Sequence, residues 1–150
     1  MKKISQDSGF TLAELMVGAV ILLVTFVGIM LTYVKCMELN EMSRNSSTAV
    51  KGVKSRAEQI KNTDFDQILP TYNNTTFTIA GLTGMGVSYV DNSNPNLSKI
   101  TVLYCWRERN GRILGEDTNL NGALNGGEDK NANGSLDSPV QLVTYIYKVL

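Results

Sequence analysis

The chain has 150 residues, with 14 basic and 14 acidic side chains and a formal net charge of zero. That balance leaves no basic footprint for nucleic acid, and the length allows one small domain plus a long anchor. Histidine is absent, which removes the commonest general base and metal ligand, and no nucleophile sits in a catalytic pattern. The chain therefore reads as a non-enzyme.

A polar leader, residues 1–9, carries Lys2 and Lys3 and ends at Gly9. Residues 10–34, Phe10 to Val34, are apolar apart from Thr residues, glycines and one carboxylate, Glu14. As a helix this run would span about 37 Å at ~1.5 Å per residue, enough to cross a ~30 Å hydrocarbon core. An acid in such a setting is costly, roughly 2.5–3.5 kcal/mol on insertion scales, and calls for a partner. A cut after Gly9 would give Phe10 a new amine at i, i+4 spacing from Glu14. The run is too long for a secretory signal core, and no small-x-small cleavage site follows it. The lysine pair places the N-terminus in the cytoplasm and the chain after Val34 on the far side of the membrane, outside the cytoplasm. In that oxidising space Cys36 and Cys105 read either as a disulfide or as two separate small hydrophobes.

The stretch from Gly9 to Val24, GFTLAELMVGAVILLV, resembles the prepilin signal of type IV pilins and type II secretion pseudopilins. The resemblance implies cleavage after Gly9 by a prepilin peptidase, N-methylation of Phe10, and a role for Glu14 in filament assembly. It also implies the pilin fold, an α+β arrangement of one long N-terminal helix on a small antiparallel sheet of three or four strands. The expected partners are the peptidase, other pilin or pseudopilin subunits, an inner-membrane assembly platform and the membrane itself, with no nucleic acid. Many pilins carry a proline in the apolar half of the helix, and this chain has none there.

Residues 35–62 continue as an amphipathic helix, with Val50, Val53, Ala57 and Ile60 as an apolar stripe at helical spacing. The more polar Met42–Ala49 segment is expected to be exposed. Charged residues such as Lys51, Lys54, Arg56 and Glu58 interleave the stripe. Residues 63–150 form the C-terminal domain. Phe65 to Pro70 reads as a connector, followed by strands at Thr76–Ala80, Gly86–Val90, Lys99–Arg107 and Gln141–Leu150. Asp91 to Asn96 is a predicted turn, and Asn110-Gly111 a second. In the third strand Ile100, Val102, Tyr104 and Trp106 share one face, while Thr101, Leu103 and Cys105 share the other.

Between the last two strands, residues 116–137 repeat with a period of 12. Each copy places oxygen-bearing side chains at alternate positions before a glycine, the D-x-[DN]-x-[DN]-G pattern of calcium loops. Calcium takes 6–8 oxygen ligands, and the glycine permits the turn that converges them. In the first copy Asp117, Asn119, Asn121, the Ala123 carbonyl and Glu128 form a complete set. The second offers Asp129, Asn131, Asn133, the Ser135 carbonyl and Asp137, but Val140 stands where the closing acid belongs. That copy must borrow Glu116 or Glu128, or remain weak. The alternative is a polar, disordered loop. Some pseudopilins require calcium in their C-terminal loop region, so the resemblance supports Ca2+ as the bound ion.

Together these features predict a structural subunit of a type IV pilus or secretion pseudopilus, leaning towards a minor pilin or pseudopilin. The competing reading is a membrane-anchored, calcium-binding adhesin or sensor that never polymerises. A DNA-binding competence subunit is disfavoured by the zero net charge and the lack of a basic aromatic patch.

Overall fold

Helix α1, Leu12–Lys61, is capped by its own sequence. Thr11 and Glu14 stand three apart, the spacing of a capping box. The Thr11 amide and hydroxyl both donate to Glu14 Oε2 at 2.9 Å, and the Glu14 amide donates to Thr11 Oγ1 at 3.3 Å. The helix thus starts at Leu12, two residues later than the apolar run. The computed structural model describes residues 9–148. Residues 1–8 of the leader, with Lys2 and Lys3, and residues 149–150 lie outside the described range.

The chain divides into two units at Glu41/Met42. In the first, every apolar side chain from Leu12 to Leu39 is exposed. Beyond the Thr11 cap, the threonine hydroxyls of the apolar run fold back onto helix carbonyls, Thr25 onto Ile21 and Leu22, and Thr32 onto Gly28. Backbone and hydroxyl groups are then satisfied within the helix, as an environment without water requires. This helix is long and apolar enough to cross a membrane.

The second unit is α+β. The C-terminal part of α1 packs its buried face, Asn45, Ala49, Val53, Ala57 and Ile60, on an antiparallel sheet. The sheet has five strands: β1 Thr75–Ile79, β2 Leu82–Asn94, β3 Leu97–Arg107, β4 Ile113–Leu114 and β5 Gln141–Tyr147. β3 is central. It pairs with β2 along one edge, and with both β4 and β5 along the other. Ile100, Val102, Tyr104 and Trp106 face α1, and all four are fully buried. Leu103 and Cys105 face the opposite side, beneath residues 115–140.

Several sequence expectations need correction here. The predicted stripe position Val50 is 38% exposed, and Ala49 lies in the core in its place. The polar segment before it is not all exposed: Asn45 is buried because its Nδ2 donates to Glu108 Oε2 at 2.9 Å. Glu108 also accepts from Trp106 Nε1 at 2.6 Å, so one carboxylate pins α1 to the end of β3. Arg56, one of the charged residues that interleave the stripe, is half-buried. Its guanidinium lies 4.8 Å from the Tyr72 ring centroid and 5.4 Å from that of Phe77, and it donates to Thr75 Oγ1 and Ser88 Oγ.

The predicted connector is a second helix, α2, Phe65–Tyr72, which buries Ile68. Its eight residues and the internal Pro70 give a periodicity too short to separate from a turn. β2 runs on to Asn94, so the turn is confined to Pro95 and Asn96. The Asn110-Gly111 turn is present and leads into β4, a strand of two residues that the sequence reading lacked.

Truncation at Val50, set against truncation at Ile60, which the predicted and observed faces share, tests which residues of α1 meet the sheet. Ile60→Ala is expected to cost about 2–5 kcal/mol, and Val50→Ala less than about 0.5 kcal/mol, by urea unfolding of the detergent-solubilised chain.

Candidate metal centre

Residues 115–140 leave the sheet after β4, beside Trp106 and Arg107, and return to it at β5, further along the same edge of β3 beside Leu97 to Leu103. The excursion closes at its neck, where the Glu116 amide donates to the Asp137 carbonyl at 2.9 Å. Leu136, fully buried, and Leu120 pack on Val87, Leu103 and Cys105. The Leu136 amide donates to the Tyr89 hydroxyl at 3.4 Å. Few other apolar side chains hold this segment, so its order rests on carboxylates and amides.

In the first copy, Asp117 is fully buried and accepts from the Asn121 amide at 3.1 Å and the Gly122 amide at 2.7 Å. Asn119 Oδ1 accepts from the same Asn121 amide at 2.9 Å, and Asn121 Oδ1 from the Ala123 amide at 2.8 Å. Gly122 has φ 75°, a left-handed conformation that favours glycine and turns the chain back on Asp117. Glu128 closes the loop. Its Oε1 accepts from the Thr118 amide and hydroxyl at 2.9 and 2.7 Å, and its Oε2 from the Asn125 amide at 3.0 Å. The Thr118 hydroxyl is the leading cause that holds the Glu128 carboxyl down at about 2, with the Asn125 and Thr118 amides assisting against burial.

Asn125 is a residue that the sequence reading passed over. Its Nδ2 donates to Asn121 Oδ1 at 3.3 Å, the Ala123 carbonyl at 3.0 Å and Glu128 Oε2 at 3.3 Å. Three of the expected calcium ligands therefore converge on this one amide. It stands at position 9 of the loop, a known ligand position, and a half-turn of the amide exchanges Nδ2 for Oδ1. Aligning the two copies would have found it, since Asn125 matches Asp137 one period later.

The second copy repeats the geometry. Asp129 accepts from the Asn133 amide at 3.0 Å and the Gly134 amide at 2.8 Å. Asn131 Oδ1 accepts from the Asn133 amide at 3.1 Å, and Asn133 Oδ1 from the Ser135 amide at 2.8 Å. Asn131 and Asn133 each direct Nδ2 to Asp137 Oδ2, at 2.6 and 2.7 Å. Glu116 accepts from the Lys130 amide through Oε1 and from the Asp137 amide through Oε2, both at 3.1 Å. Val140 is buried in the α1-side core.

The donor chemistry fits a hard cation: carboxylate, side-chain amide and carbonyl oxygens, without sulfur or imidazole. Among the described residues no three carboxylate or thiol groups form a cluster by themselves, so amides and carbonyls must supply much of either set. The ion pairs among these residues, Lys35–Glu38 and Lys148–Asp66, involve neither loop.

Gly9 and Phe10 precede α1 and are exposed, Phe10 to 89%. Both cysteines are free thiols, Cys36 exposed on α1 and Cys105 buried, with burial pushing the Cys105 thiol up. Compared with known families, characterised proteins and solved structures, the chain shows no significant match.

The folded Glu128 carboxyl titrates well below the unfolded value of 4.5. Its hydrogen bonds contribute stability fully above that value, and the contribution is lost as pH falls from about 4.5 towards 2. With chelator present, urea midpoints measured between these pH values should fall, and Glu128→Gln should flatten the slope.

Proposed function

We propose that the chain is a structural subunit of a type IV pilus or type II secretion pseudopilus, with a calcium-stabilised C-terminal loop. The observation that carries this is the Gly9-Phe10-Thr11-Leu12-Ala13-Glu14 segment at the head of a helix whose apolar run is wholly exposed. A plain membrane anchor accounts for the apolar run. It leaves Glu14 only its capping contact with Thr11 and gives no reason for Gly9 and Phe10 ahead of them.

In this reading the precursor lies in the inner membrane with its N-terminus cytoplasmic and its sheet domain periplasmic. Prepilin peptidase cuts after Gly9 and Phe10 is methylated. Thr11 satisfies Glu14 in the precursor. In the filament the acid would instead meet the amine of a Phe10, where a charged partner repays its removal from water. The exposed residues 12–34 then pack against the same run of neighbouring subunits. Bound calcium orders residues 116–137 and stabilises the domain according to its occupancy.

Intact mass tests the processing step, measured on protein from membranes and from sheared surface material. The expected species lacks residues 1–9, carries one added methyl group and occurs in the sheared fraction. An unprocessed chain confined to membranes overturns the filament role and favours the anchored calcium-binding adhesin or sensor. Glu14→Val should leave membrane insertion intact and abolish recovery in the sheared fraction.

A further inference from the structure

We infer that the 116–137 module binds two calcium ions with exchanged closing acids: Glu128 completes the loop opened by Asp117, and Glu116 completes the loop opened by Asp129. The inference rests on the calcium reading proposed above and settles its stoichiometry and the identity of the missing ligand. By the local pattern, position 12 of the second loop is Val140, an apolar residue committed to the core. Sequence order alone leaves that loop without its acid.

The fold supplies one. Glu128 spans the backbone amides of Thr118 and Asn125, positions 2 and 9 of the first loop. Glu116 spans the amides of Lys130 and Asp137, positions 2 and 9 of the second. The same carboxylate oxygens take the corresponding amides, Oε1 at position 2 and Oε2 at position 9. The backbones agree as well: Leu120 and Ala132 have φ 57° and 58°, and Gly122 and Gly134 have φ 75° and 77°. Glu116 therefore bears the relation to the second loop that Glu128 bears to the first. It reaches that place from before the repeat, because each glutamate immediately precedes the aspartate that opens the other's partner loop.

Charge points to the ions independently of the loop shape. Glu116, Asp117 and Glu128 are 8%, 0% and 4% exposed, and none forms an ion pair among the described residues. Backbone amides and the Thr118 hydroxyl compensate these carboxylates, but no cationic side chain among the described residues neutralises their charge. Residues 116–137 hold five acids and one lysine, a net charge of −4. Two divalent cations neutralise this charge, and one leaves half of it.

Native mass spectrometry of the full chain in detergent, titrated with CaCl2, counts the ions directly. The wild type should take up two, Glu116→Gln one, Glu128→Gln one and the double variant none. Asn131→Ala, at an exposed loop position, should also lose one ion and so reproduce Glu116→Gln. Trp106 fluorescence checks that each variant is folded. If Glu116→Gln does not fold, Glu116→Asp keeps the charge and shortens the reach, and one of the two ions should bind at least about tenfold more weakly. Two ions retained by a folded Glu116→Gln, or undiminished affinity in Glu116→Asp, overturns the exchange. A single ion on the wild type overturns the two-site stoichiometry while the calcium reading stands. No uptake by the wild type overturns the calcium reading itself.

Discussion

Five consecutive residues of β3, Val102 to Trp106, are fully buried. Side chains alternate across a strand, so such a run demands cover on both faces of the sheet. A single helix covers only one. The α1 face supplies it with small and medium residues, Ala49, Val53, Ala57 and Ile60, which let the helix approach the large Tyr104 and Trp106 side chains. The opposite face of β3 falls to a segment with almost no hydrophobic means of holding itself in place. Residues 115–140 insert chiefly Leu136 and Leu120, and the rest of the segment is asparagine, glycine and acid.

That division explains why the loop is built as it is. A polar cover must be ordered by directional interactions, and buried carboxylates accepting several backbone amides are among the stronger ones available. Asp117, Glu128 and Glu116 each accept two or more such amides, and through them the loop closes over Cys105 and Leu103. The same arrangement concentrates negative charge beneath the surface. With the proposed calcium bound, such a cover would be strongest where divalent cations are abundant, in keeping with the periplasmic or extracellular position proposed for the domain.

Much of the architecture is legible in the residues, because its signals are local and periodic. The long helix, the alternation of β3 and the twelve-residue repeat each recur within one element. What escaped the sequence reading depends on contacts between distant residues. Asn45 looks like part of a solvated segment until Glu108 and Trp106, some sixty residues later, give its amide a buried partner. Val50 and Ala49 are adjacent, and only the approach of the sheet decides which one faces it. Helix α2 is too short, and too interrupted by Pro70, to declare a period. At the loop, the ligand types and spacing were readable, but Asn125 was missed and the role of Glu116 stayed open. Choosing Glu116 requires the backbone of the second loop to be in place.

The exchange of glutamates has a physical consequence for the loop as a unit. If the second loop carried a closing acid of its own, the two halves could order separately, and loss of one of the proposed ions would leave the other half unaffected. Here Glu116 and Asp117 are neighbours in sequence but serve different loops, as do Glu128 and Asp129. Fixing the first loop fixes the backbone from which Glu116 projects, and fixing the second does the same for Glu128. In the proposed two-ion loop, binding at either place would lower the ordering cost at the other, which is positive coupling without any change of fold. A cover built in this way is either ordered throughout or released throughout. For a subunit proposed to wait in a membrane before assembly, all-or-none ordering ties the outer face of the domain to the ionic environment that its head occupies.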